Sequence, residues 1–434
     1  MVDVMAVIGQ ARQALAQRRT GALLTLSRTL LASAPERLEG WLLQALALFL
    51  DDQADIVYRR VLPLRRRRFG DDGIVFLKDV FLILARIKAH DTILAAAAKA
   101  PGAALFSIVP GYFAACVLLE RRRFDEGFAL LATVRGRGLA NLDALPTTDS
   151  DGFMVLFRHA LLVNDASYLQ QPYYRDNLAL NQARLGPLQW AEAQPPDPDP
   201  QKSVVMVSCD RHYADLFLAP FLAAVDHGCC HRLVHLHFLD PEPEPPALGR
   251  LPPLQHNRLA VTWERSGDLK CAAYYASARF VRMPALLRHY QRPILLFDVD
   301  MELRHPLERL EQAMADADFG SFRRDRLDPG SVYPAAAVGF RPNPAGLELA
   351  DLLGNLILSK MSLKRPLLWL IDQASLYSAV TMLADQAGRL RVADFSHRLG
   401  MTIEDYVTLC GRNEDKLRLM TAASGLFEPD EPAD

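Results

Sequence analysis

The chain has 434 residues, with 49 Lys and Arg against 51 Asp and Glu for a formal charge of −2. Apolar residues make up 50% and charged residues 23%, which excludes a mainly disordered chain and supplies material for two or three cores. Without a basic excess, a protein living on nucleic-acid phosphates is not expected.

Six cysteines, at 116, 209, 229, 230, 271 and 410, form no CxxC pair, so reduced thiols and a cytoplasmic location are expected. Met1-Val2-Asp3-Val4 carries an acid where a secretory leader needs a basic region. No run of about 18 apolar residues is present, so no transmembrane segment is expected.

Residues 1–190 read as helices. Val4, Ile8, Ala11 and Leu15 recur at helical spacing, as do Leu23, Leu26 and Leu30, and Trp41, Ala45 and Leu48 begin a third face. Pro35 follows the second helix, where a repeated hairpin turns. Val7 and Trp41 lie 34 residues apart, as do Ala11 and Ala45, which is the period of tetratricopeptide repeats. An echo around Tyr112–Cys116 and Phe124–Val134 is fainter and out of register. An all-α, repeat-like domain is expected, with an irregular helical bundle as the alternative. Arg65–Arg68 and Arg121–Arg123 lack interleaved aromatics, so they read as a solvated face or a site for an acidic partner.

A Pro/Asp tract, Gln194-Pro195-Pro196-Asp197-Pro198-Asp199-Pro200, makes residues 191–201 a semi-rigid linker. From residue 202 to 434 short apolar runs alternate with helical stretches. Strands are expected at Ser203–Ser208, Leu233–Leu239, Arg258–Thr262 and Ile294–Phe297. Helices are expected at Ala214–Val225, at Cys271–Tyr290 and from Leu307. Such alternation predicts an α/β sheet covered on both faces, with ligands beyond the carboxyl ends of the strands. Ser208-Cys209-Asp210 lacks the GxGxxG of a dinucleotide site, and no P-loop lysine motif is present.

The sharpest signal is Ile294-Leu295-Leu296-Phe297-Asp298-Val299-Asp300. Residues i and i+2 of a strand point the same way, so both carboxylates can converge on one hard cation, Mn²⁺ or Mg²⁺. An apolar strand followed by DxD also occurs in haloacid-dehalogenase-like phosphatases. Their pattern places Thr or Val where this chain has Glu302, and their nucleophile strand opens the domain. Here about 90 residues of α/β pattern come first. Cys229-Cys230-His231 with His235 and His237 gathers ligand-type residues, but the alternating Leu233, Val234, Leu236 and Phe238 place the histidines on and beside a strand without zinc spacing.

The wider order of motifs resembles GT-A glycosyltransferases, in particular the glycogenin-like and lipopolysaccharide galactosyltransferase-like families and their bacterial cousins. Val204–Ser208 with Asp210, His212 and Tyr213 is similar to their first strand and base-holding loop. Tyr274–Phe280 before Pro284-Ala285-Leu286-Leu287 looks like the helix preceding their metal strand, and Pro293–Asp300 with His305-Pro306-Leu307 like the DxD segment. Arg341–Gly346 resembles a later strand exit, and Trp369-Leu370-Ile371-Asp372-Gln373 their sugar-contacting Asp-Gln motif. The resemblance covers about residues 202–400 and implies a GT-A domain, a Rossmann-like mixed sheet, behind the helical one.

It also implies roles. Asp298 and Asp300 would hold the metal, with His397 as a third ligand. Asp210 and Tyr213 would hold the nucleoside, and Arg279 would orient Asp298 or meet a phosphate. Asp372 and Gln373 would contact the sugar near its anomeric carbon. The implied activity is metal-dependent, hexosyltransferase-like transfer from a nucleotide-sugar, a UDP-sugar foremost, to a saccharide, lipid-linked or protein acceptor. Retention of configuration is implied, and the helical half would bind the acceptor or a protein partner. Two departures stand out: Pro334-Ala335-Ala336-Ala337 replaces the families' Asn-x-Gly, and their late His-x-x-Gly-x-x-Lys-Pro-Trp segment is missing around Phe395–Met401. The alternatives are a nucleotidyltransferase on a related sheet and a catalytically dead scaffold.

Overall fold

The structure, a computed structural model, describes residues 4–69, 73–101, 107–140, 180–191, 199–228, 231–242, 254–327, 329–361, 371–384 and 389–408. The chain divides into two units, Met1–Ala166 with Arg326–Asp328, and Ser167–Asp325 with Pro329–Asp434. No helix among the described residues is long and apolar enough to cross a membrane.

Among the described residues of the first unit, four helices of 13 residues open four hairpins: Val4–Ala16, Leu38–Leu50, Ile74–Arg86 and Ile108–Glu120. They begin 34, 36 and 34 residues apart. Each ends in the same turn. Arg18, Asp52, Lys88 and Arg122 adopt φ of 52–58°. The next amide then reaches back five residues, Arg19 to Ala14, Gln53 to Leu48, Ala89 to Leu84 and Arg123 to Leu118, at 2.7–2.9 Å. This Schellman geometry gives donors to helix-terminal carbonyls that would otherwise lack them. The middle spacing of 36 explains the lost echo. A search at 34 residues slips by two after the second hairpin, and the position of Ala11 and Ala45 recurs as Phe81 and Ala115, all four buried.

In the second hairpin the return segment passes from Ala54–Ile56 through a wide turn, Val57–Val61, into Leu62–Phe69. Pro63 accounts for this. It has no amide hydrogen and its ring crowds the carbonyl four residues back, which a wider turn relieves.

The second unit holds an eight-stranded sheet in the order β1-β4-β3-β2-β5-β8-β7-β9. The strands are β1 Gln189–Trp190, β2 Val204–Cys209, β3 Leu233–Leu239, β4 Arg258–Glu264, β5 Ile294–Phe297, β7 Phe319–Ser321, β8 Ala337–Phe340 and β9 Val392–Asp394. β6 Glu302–Leu303 pairs separately with β10 Val407–Thr408. β2, β3, β4 and β5 run parallel, β8 runs antiparallel between β5 and β7, and β1 is antiparallel to β4. Every residue of β2, β3 and β5 is buried, as strands covered on both faces require. The chain moves outward from β2 to β3 and β4, then returns to the far side of β2 for β5. That reversal opens a crevice at the carboxyl ends of β2 and β5.

The sheet also takes in residues expected with the helical half. β1 pairs with β4, Asn181 Nδ2 donates to Ser359 Oγ at 2.8 Å, and Arg184 donates to the Leu358 carbonyl at 2.7 Å. Residues 180–191 therefore pack with the second unit, and the expected boundary at 190 falls inside it. A two-residue edge strand has no periodicity to reveal it. Most of the Pro/Asp tract, residues 192–198, lies outside the described residues.

His235 and His237 project from β3 into the protein. Thr262 Oγ1 lies 2.9 Å from His235 Nε2 and 3.0 Å from His237 Nδ1, and Tyr290 OH lies 2.6 Å from His235 Nδ1. His237 Nε2 lies 3.3 Å from Glu264, which accepts from Tyr274 OH at 2.8 Å and pairs with Arg282. Burial, aided by the Arg282 charge, lowers His237 to about 3. Burial likewise lowers His235 well below the ordinary histidine range. Both rings are neutral structural groups, each ring nitrogen engaged. Cys229 and Cys230 lie outside the described residues.

Candidate functional site

β2 and β5 end side by side, with Val207 opposite Phe297. Past these ends a cavity of about 310 Å³ opens, and the loops after both strands line it together with the first turns of helices Ala272–Tyr290 and Ile371–Ala384. Seven of the eight residues singled out from the sequence line it: Asp210, Tyr213, Arg279, Asp298, Asp300, Asp372 and Gln373.

The turn that follows β5 sets up the acidic pair. Val299 and Met301 are buried at 4% and 1% exposure, and Asp298 and Asp300 line the cavity with Val299 between them. Arg279 Nη2 lies 2.6 Å from Asp298 Oδ1 and 3.5 Å from Asp372 Oδ2, and it also reaches the Ala335 carbonyl at 3.5 Å. Its buried Nε has no hydrogen-bond acceptor. Burial raises the Asp372 carboxyl above its ordinary range, although the Arg279 charge and the Gln373 amide oppose the shift. Asp210 caps the short helix Arg211–Tyr213, its Oδ1 accepting from the Tyr213 amide at 2.9 Å. The cap fixes the turn that carries Tyr213 to the cavity wall.

His397 stands apart. It is exposed on helix Phe395–Leu399, after β9 at the sheet's far edge, and does not line the cavity. Two strands, β8 and β7, separate β9 from β5. Its amide donates to the cap Asp394 at 3.3 Å, so its neighbourhood is that of a helix start. The expectation that it joins the Asp pair as a metal ligand is not met. Among the described residues no three His, Cys, Asp or Glu converge to hold a metal by themselves. Trp369 and Leu370 of the Asp-Gln motif lie outside the described residues.

From the segment Pro334–Ala337, Ala335 lines the cavity and offers it a backbone and a methyl group. Next along β8, a Cβ on Gly339 would meet Met314 Sδ at 2.0 Å, which is why glycine stands there.

Residues not singled out from the sequence also contribute. Tyr275 lines the cavity, and its hydroxyl donates to Asp240 Oδ2 at 2.7 Å. Asp240 follows β3 with φ +47° and also accepts from the Ser266 amide at 2.9 Å and from the Ser266 hydroxyl. Burial pushes its carboxyl up, but the Ser266 and Tyr275 hydrogen bonds and the Lys270 charge outweigh this and hold it below the ordinary range. Ser208 and Ser277 also line the cavity, each with a buried hydroxyl that has no hydrogen-bond partner among the described residues.

No protein-family model matches the chain, and no curated protein matches it. Among solved structures, the glycosyltransferase GlyE of Streptococcus pneumoniae TIGR4 is similar to it at 17% identity with a TM-score of 0.27. That likeness covers 38% of this chain and 44% of that one, so less than half of GlyE's length is spanned.

Proposed function

We propose that the chain is a metal-dependent glycosyltransferase of the GT-A kind, moving a sugar from a nucleotide-sugar, a UDP-sugar foremost, to a saccharide, lipid-linked or protein acceptor. One observation carries this reading. Seven residues chosen for that chemistry, scattered over more than 160 positions of sequence, line a single cavity at the β2–β5 reversal.

The charge of the cavity supports a cation. Four carboxylates, Asp210, Asp298, Asp300 and Asp372, face one guanidinium, Arg279. A diphosphate entering that field is repelled unless a positive ion accompanies it. Mg²⁺ and Mn²⁺ accept one or two carboxylates with phosphate oxygens completing the shell, so Asp298 and Asp300 suit an ion shared with the substrate. Once bound, that ion would offset the negative charge growing on the leaving diphosphate.

The chain's own groups do the rest. Tyr213 offers a ring face to a base. Arg279, the guanidinium lining the cavity, is the group that a phosphate oxygen would meet. Asp372 and Gln373, at the start of their helix, can accept from and donate to sugar hydroxyls. The resemblance favours retention of configuration. The four like hairpins support a tetratricopeptide-like first unit that selects the acceptor or docks a partner, since stacked hairpins present extended binding surfaces.

The test is donor hydrolysis with Mn²⁺ across a panel of nucleotide sugars. Release of nucleoside diphosphate from one donor, stopped by EDTA and absent in Asp298→Ala and Asp300→Ala, is expected. Full activity in both variants would overturn the metal-pair reading. Pyrophosphate release from a nucleoside triphosphate would assign a nucleotidyltransferase.

A further inference from the structure

Residues 54–69, the return segment of the second hairpin, carry six arginines against one acid, Asp55, in a chain whose formal charge is −2. One arginine is structural. Arg65 is buried, its guanidinium 5.2 Å from the Phe69 ring and 4.6 Å from the Phe76 ring. The other five, Arg59, Arg60, Arg66, Arg67 and Arg68, are exposed, and none has an acidic partner among the described residues. Their charge is unspent.

The same segment exposes apolar surface. Of the five large apolar side chains exposed among the described residues, three lie here: Ile56 at 37%, Leu64 at 54% and Phe69 at 38%. On helix Leu62–Phe69, Arg67 and Arg68 fall three and four residues after Leu64, so the exposed leucine stands beside two arginines on the outer side of the helix, with exposed Arg60 in the wide turn before it. Val57, Val61 and Leu62 take the opposite side into the core.

We propose that this face lies on an anionic phospholipid membrane surface, with the arginines at headgroup phosphates and Leu64 entering the acyl boundary. Unpaired arginines alone suit any polyanion. The exposed leucine among them is the discriminating feature, because nucleic-acid phosphates offer it nothing while an interfacial helix uses such residues to anchor. Arginine's long apolar stem lets the charge stay at the headgroups while its base follows the leucine inward. The proposal needs no spanning helix, and it stands or falls independently of the catalytic reading.

The experiment is co-sedimentation of the full chain with vesicles of phosphatidylcholine mixed with phosphatidylglycerol, beside vesicles of phosphatidylcholine alone. Binding to the mixed vesicles only, weakened by salt, is expected. Each arginine near a charged surface contributes about fivefold to the partition. Reversing three, Arg60→Glu with Arg67→Glu and Arg68→Glu, should lower it by at least about a hundredfold. Leu64→Ser should lower it about fivefold at unchanged charge. All four positions are exposed, so circular dichroism and thermal midpoints of the variants should match the parent. Equal binding to both vesicle types, binding to neither, or binding untouched by the triple reversal would overturn the proposal. So would double-stranded DNA displacing the vesicles while Leu64→Ser has no effect, which would assign the face to nucleic acid instead.

Discussion

Arg279 Nη2 stands 2.6 Å from the Asp298 carboxylate, and the same nitrogen lies 3.5 Å from Asp372. One guanidinium from helix Ala272–Tyr290 thus ties the carboxyl end of β5 to the first turn of helix Ile371–Ala384. Asp372 is 7% exposed; burial pushes its carboxyl up, and the Arg279 charge opposes that shift.

Removing the guanidinium while keeping its bulk therefore leaves a buried carboxylate without a counter-charge. Arg279→Leu should lower unfolding stability by about 3 kcal/mol, in the range for breaking a buried pair. Arg279→Lys keeps a charge but loses the planar fork that reaches two carboxylates, so an intermediate loss is expected. Urea unfolding of the three proteins measures both. A lysine variant equal to the parent would show that the second contact adds nothing.

Tyr275 and Asp240 form a second relationship across the cavity wall. The Tyr275 hydroxyl is spent on Asp240, so its ring, rather than its oxygen, is what a ligand meets. Tyr275→Phe keeps the ring and loses one hydrogen bond to a charged acceptor, a cost of about 1.5–3 kcal/mol in stability or in ring placement. Under the proposed function, weaker donor binding with kcat little changed is expected, because the hydroxyl is engaged by Asp240 and the ring offers no group for proton transfer. Titration with uridine diphosphate alongside steady-state rates separates the two quantities. A fall in kcat at constant KM would place Tyr275 at the reacting centre instead.

The parts of this fold that could be read from sequence were those with a strong local period. β2, β3 and β5 are uninterrupted apolar runs buried on both faces, and helix Ala272–Tyr290 carries its own spacing. Asp298 and Asp300 were legible because they directly follow a buried apolar strand, and the turn there brings both to the crevice. The rest depends on contacts between distant residues. Tyr275 lines the cavity because Asp240, 35 positions earlier, holds its hydroxyl, and no spacing encodes that. β1 has two residues and no pattern. His397 carries a ligand's chemistry, but sheet order sets it beyond β8 and β7. The hairpin period was obscured by a two-residue excess that sequence similarity at a fixed interval does not tolerate.

The last prediction concerns pH and the β3 histidines. In the folded chain His235 and His237 are held neutral by burial, His237 down to about 3. In the unfolded chain each ring titrates near its ordinary value of about 6.5. Above that value neither state holds these protons, and the network of Thr262, Glu264, Tyr290 and Arg282 is at full strength. As pH falls below it, the unfolded chain takes up protons on both rings that the folded chain refuses, and His289, also lowered by burial, adds to that uptake. Stability must then drop, by about 1.4 kcal/mol per pH unit for each fully buried ring, until the folded rings accept protons. Urea unfolding between pH 7 and pH 5 should show this slope. His237→Asn, less stable at pH 7 through its lost contacts, should show a shallower slope, because one titrating ring is gone. The two effects have opposite signatures: a lost contact shifts the whole curve, whereas a lost proton uptake flattens it. A variant curve merely displaced downward, with the parent's slope, would mean that His237 titrates normally in the folded protein and that its ring is not sealed from water.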